Sequence, residues 1–152
     1  MKNTSLLTYT AAHLLVDFAC GYILYAMYTE GEIAAASVTS LFLLYNLLAF
    51  ATQYVFGAAA DKLKSNGRAF AVIGISATAI GLLAGSSNPT LTVCFIGLGN
   101  SCFHAGGGID ALCEGRGMTR AGIFVSAGAL GIVLGCKFGE KLFFLLPRGL
   151  YG

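Results

Sequence analysis

The sequence predicts an all-α polytopic membrane bundle: five transmembrane helices and a truncated sixth, forming a single membrane domain over residues 1–152. Three observations carry this. Of the 152 residues, 57% are hydrophobic and 11% charged, whereas a typical soluble domain is about 25% charged. Apolar stretches of about 20 residues, enough to cross about 30 Å of hydrocarbon, recur along the chain. Finally, 21 glycines against 2 prolines suit helices whose backbones approach closely in lipid. A net charge of +2, without a basic stripe interleaved with aromatics, argues against a nucleic-acid partner.

The first span covers about residues 6–28. Its oily run "HLLVDFACGYILYAMY" carries His13 and Asp17 one helical turn apart. An ionised carboxylate at the bilayer centre costs about 2.5–3.5 kcal/mol on insertion scales, so Asp17 requires compensating surroundings. The same two residues interrupt the clean apolar core of a secretory signal. The segment Asp17-Phe18-Ala19-Cys20 also lacks the aliphatic residue of a lipoprotein site, so this span is expected to stay uncleaved.

The second span covers about 37–60. Within it Asn46 and Gln53, seven residues apart, fall on one face of a regular helix and are read as interhelical hydrogen-bonding residues. The third span covers about 69–85, the fourth 91–112 and the fifth 121–142. Residues 143–152 begin a sixth that Pro147 and Arg148 cut short. Cys20, Cys94, Cys102, Cys113 and Cys136 show no C-x-x-C spacing and are read as small buried hydrophobes.

Orientation follows from the basic residues. With the N-terminus inside, Lys2, Lys62, Lys64, Arg68, Arg116 and Arg120 are cytoplasmic, while Glu30 and Glu32 lie outside. The expectation is a multi-pass cell-membrane protein with a cytoplasmic N-terminus. Asp110 and Glu114 read as solvated helix ends, and Lys137 as a residue that snorkels or pairs with Glu140. His13 and His104 fall at a common depth of about 10–12 Å on antiparallel spans, each with a polar residue, Asp17 or Asn100, one turn further in.

The connection "GAAADKLKSNGR", with Gly57, Asp61, Lys62, Gly67 and Arg68, resembles the signature loop between spans two and three of the major facilitator superfamily, although its Asp-to-Gly-Arg spacing is longer than usual. In span five, "GIVLGCKFGE" resembles the glycine motif of proton-coupled exporters in that superfamily through Gly131, Gly135 and Gly139. Cys136 stands where Pro is expected and Glu140 where the last Gly is expected. Glycines four apart also serve simply as a packing face. The H-x-x-x-D of span one and Phe103-His104-x-x-Gly107 of span four are similar to the fosmidomycin-resistance branch; the arginine that many exporters place in span four is missing.

The resemblance implies the N-terminal half of a twelve-span fold whose spans one and four line a central cavity. His13, Asp17, Asn100 and His104 would face substrate or protons there. The 57–68 residues would form a cytoplasmic gate against a helix N-terminus of the other half. The implied function is secondary transport of a small molecule coupled to protons. The partners are the lipid bilayer, a small-molecule substrate, and a second half-transporter or another copy. Five spans and a stub do not alternate access alone, so a truncated or split transporter is expected. No nucleophile motif suggests an enzyme, no cofactor is expected, and two His with one Asp at this spacing match no strong metal-ligand motif. Two alternatives stand beside this reading. One is a non-transporting membrane interaction protein or inactive fragment associating through its glycine faces. The other is a small multidrug exporter with one carboxylate in its first span.

Overall fold

The computed structural model describes residues 2–29, 35–63, 67–84, 88–113 and 118–143. All the elements among them are helical: α1 (Lys2–Thr29), α2 (Ala35–Asn46), a π-helical turn (Leu47–Ala51), α3 (Gln53–Leu63), α4 (Gly67–Ala84), α5 (Pro89–Cys113) and α6 (Met118–Phe143). The segments α2, π-turn and α3 run on as one rod, so five rods form the bundle. The start of α5 follows from its sequence. Asn88 caps it, its carboxamide oxygen accepting the Leu91 N–H at 3.1 Å, and Pro89 occupies the first turn, where no N–H is needed.

Among the described residues, four rods are long and apolar enough to cross a membrane: Ser5–Thr29, Ala36–Leu63, Gly67–Ala84 and Met118–Gly139. The exception is α5, the fourth expected span. Its 25 residues would reach about 37 Å, but Asn100, Ser101 and His104 lower its hydropathy. Its position explains this composition. Helix α5 packs against every other rod, and Asn100 and Ser101 are buried. The outward faces are correspondingly oily, with Tyr54 82%, Leu83 88% and Met118 86% exposed. Contiguous apolar surface of this kind is rare on soluble monomers; composition and surface together are those of a membrane protein.

The two most extensive pairings, α1 with α6 and α4 with α5, both rest on glycine. A Cβ at Gly131 would strike the Leu14 carbonyl, and one at Gly135 the Phe18 carbonyl. Between α4 and α5, a Cβ at Gly74 would strike the backbone of Gly99 and Phe103, and one at Gly106 the backbone of Gly67 and Ala71. Backbone meets backbone at both seams, so only hydrogen fits.

The π-turn changes the register of the second rod. Asn46 is exposed and its amide donates to the Phe42 carbonyl of its own helix at 2.8 Å, which corrects the interhelical role expected for it. The residues sharing the inner face are Tyr45 and Gln53, eight apart, because the wide turn inserts one extra residue between them. The Thr52 and Ser101 hydroxyls, 2.7 Å apart, pin the turn to α5.

A second correction concerns Asp110. It is not a solvated end: the Tyr9 hydroxyl donates to its carboxylate at 2.5 Å, and the buried Gly67 packs beside it. Lys137 is exposed. Glu30, Glu32, Lys64, Glu114, Arg116, the Glu140 side chain and the expected stub from residue 144 onward lie outside the described residues.

Candidate functional site

Among the described residues, the two larger apolar clusters lie around Cys20, Leu24, Tyr45, Val93 and Ile96 and around Val16, Ala71, Phe103 and Phe124. Where they meet, α1 and α5 place His13, Asp17, Asn100 and His104 in one polar cluster. His13 is 2%, Asp17 7% and Asn100 3% exposed; His104 is partly open, with 19% of its side chain accessible. The i,i+4 step on α1 sets His13 Nε2 3.3 Å from Asp17 Oδ2. From α5, His104 Nε2 reaches His13 Nε2 at 2.8 Å and Asp17 Oδ1 at 3.4 Å. One turn along α5, the Asn100 amide donates to Asp17 Oδ1 at 2.7 Å and to the Tyr45 hydroxyl at 3.0 Å.

The surrounding partners fix where the protons sit. His13 Nδ1 lies 2.7 Å from the Phe124 carbonyl. A carbonyl only accepts, so Nδ1 carries the hydrogen and Nε2 presents a lone pair. The Gln53 amide donates to the Ala49 carbonyl at 2.8 Å and faces His104 Nδ1 at 3.4 Å. His104 Nδ1 is therefore the acceptor, and its Nε2–H points at His13 and Asp17. With Asp17 ionised, the His13 lone pair and Asp17 Oδ2 confront each other as two acceptors. One proton resolves the conflict. Placed between Asp17 Oδ2 and His13 Nε2, it lets His104 Nε2–H turn to Asp17 Oδ1 and leaves the cluster neutral. The site has room for one additional positive charge.

Every rod except α4 contributes. Helix α6 supplies the Phe124 carbonyl and Gly128, where a Cβ would overlap His13 Nε2 and Asp17 Oδ2. The Phe124 ring lies against the His13 ring, with centroids 4.3 Å apart. Gly128 extends the Gly131, Gly135 and Gly139 stripe by one further turn on the same face, a spacing visible in the sequence. The Phe124 carbonyl left no sequence signal and Tyr45 was obscured by the π-turn, whereas Gln53, read from the sequence as an interhelical hydrogen-bonding residue, faces His104 of α5.

The loop residues lie apart from this cluster. Asp61, Lys62 and Arg68 are exposed, Gly57 has open space around its α-carbon, and Gly67 is buried against Gly106 and Asp110. Among His, Cys, Asp and Glu of the described residues, His13, Asp17 and His104 offer ligand atoms within 4.8 Å of one another. Comparison with known protein families, with curated proteins and with solved structures finds no match to this chain.

Proposed function

We propose that this chain is one half of a polytopic, proton-coupled secondary transporter of the major facilitator type, acting on a small molecule and working against a facing half or a second copy. The observation that carries the reading is the Asp17–His13–His104 cluster. An intramembrane carboxylate costs free energy, and a bundle retains one where it moves charge. Here it has two imidazoles and a carboxamide around it and a place for one proton, with the partly open His104 as the side from which that proton enters. The basic residues support a cytoplasmic N-terminus. Lys62, Arg68 and Arg120 all belong to the end of the bundle where Tyr9 meets Asp110 and Arg120 Nε donates to the Ala111 carbonyl.

The test uses proteoliposomes holding the full chain, a pH-sensitive dye inside, an imposed pH gradient and a panel of added small molecules. Wild type is expected to move protons when a substrate is added, and Asp17→Asn to lose that response while remaining in the membrane. Equal proton movement by the two proteins contradicts the reading.

A further inference from the structure

We propose that the same cluster is a binding site for a divalent first-row transition-metal ion, held by His13 Nε2, His104 Nε2 and the Asp17 carboxylate in competition with the proton. The inference rests on the reading of this cluster as a cation-exchange site and names the class of cation. Nitrogen and oxygen ligands around Zn²⁺ sit at about 2.0–2.2 Å, so adjacent corners of the tetrahedron are about 3.3–3.5 Å apart. His13 Nε2 lies 3.3 Å from Asp17 Oδ2 and His104 Nε2 3.4 Å from Asp17 Oδ1, each the length of that edge, and the carboxylate must turn to offer one oxygen to both nitrogens. The 2.8 Å between the imidazole nitrogens must open by about half an ångström, and His104, the more exposed of the two, is the ring with freedom to move.

The outer contacts also suit a metal. A ligating His fixes its tautomer by donating its other N–H to a carbonyl or carboxylate, and His13 Nδ1–H already donates to the Phe124 carbonyl. Asp17 is oriented by Asn100. Gly128 packs directly against His13 Nε2 and Asp17 Oδ2, where a Cβ would overlap both, so an ion enters from the more open His104 side. Two nitrogens and one carboxylate leave a fourth position for water or a transported ligand, the arrangement of an open rather than a structural site.

Proton balance is explicit. The proton shared by Asp17 and His13 is released when the metal binds. His104 moves its hydrogen from Nε2 to Nδ1, and the Gln53 amide turns its oxygen toward it. One proton leaves for each ion bound.

Cobalt(II) titration of the untagged full chain in detergent tests this, because tetrahedral Co²⁺ absorbs in the visible and thiolate ligation adds a separate near-ultraviolet band. The expected result is one Co²⁺ per chain with no thiolate band, displaced by Zn²⁺, with about one proton released per ion in weak buffer. His104→Gln and Asp17→Asn should each weaken binding more than about 100-fold, beyond what loss of an outer-shell partner costs. Gln53→Glu should tighten it, since a carboxylate accepts Nδ1–H better than an amide. Absence of saturable Co²⁺ binding, or binding that both ligand variants retain, overturns the metal site. If Asp17-dependent proton uptake survives in that case, the proton reading stands alone. Co²⁺ bound without proton release leaves the metal site and removes the exchange of cations.

Discussion

Asp17→Leu is expected to destabilise the bundle by about 1–3 kcal/mol for each buried donor it leaves without an acceptor. Leucine cannot accept from Asn100, whose amide now donates to Asp17 at 2.7 Å, and it leaves His104 Nε2–H without the carboxylate at 3.4 Å. Asp17→Asn is expected to behave oppositely. Its oxygen still accepts from Asn100, its N–H meets the His13 lone pair, and the costly charge is gone. Thermal unfolding of the purified proteins in detergent separates the two. A large drop for Leu and a value near or above wild type for Asn is the expected pattern, and equal stability of the two variants would mean that the polar contacts carry no weight.

Gly135→Leu should be the most disruptive change away from the cluster. A Cβ at this position already overlaps the Phe18 carbonyl and crowds the Tyr22 nitrogen, and both are backbone atoms of a continuous helix that cannot rotate aside. The α1–α6 seam must then part along its length, which also withdraws Gly128 and the Phe124 carbonyl from His13. The penalty should exceed the about 1–3 kcal/mol of an ordinary overpacked core and appear as loss of a monodisperse, heat-resistant species in size-exclusion chromatography. Gly122→Leu is the matched control. A Cβ there meets nothing within 4 Å, so its effect should stay within about 0.5 kcal/mol. Indistinguishable behaviour of the two variants would place the Gly135 face against lipid.

How much of this was legible beforehand differs residue by residue. His13 and Asp17 declare themselves, because an i,i+4 pair needs only helical periodicity to be placed on one face. His104 and Asn100 could be matched to them in depth by counting residues from the span ends, since helical rise is constant. Their mutual distances could not, because those depend on how closely α1 and α5 approach. The interhelical role of Gln53 was legible, but that of Tyr45 was hidden for a specific reason. Counting by sevens pairs Asn46 with Gln53, and the π-turn at Leu47–Ala51 adds the one residue that rotates Tyr45 inward instead. Helix α5 shows a related limit. Hydropathy rewards contact with lipid, and the rod at the centre of the bundle, surrounded by other helices, has the least such contact. The glycines of α6 were legible as a face, but the identity of the neighbour, α1, came only from the three-dimensional packing.

Asp17, His13 and His104 are proposed to share one charge vacancy, and counting protons tests it most directly. Potentiometric titration of purified wild type and Asp17→Asn over the pH window in which both stay folded measures uptake by the coupled cluster as a whole, regardless of which atom holds the proton. The carboxylate is the anion that makes an added proton favourable. Wild type is therefore expected to take up about one more proton per chain than Asp17→Asn across that window. Superimposable titration curves would contradict the account, because Asp17 would then exchange no proton and the cluster would be a fixed structural network.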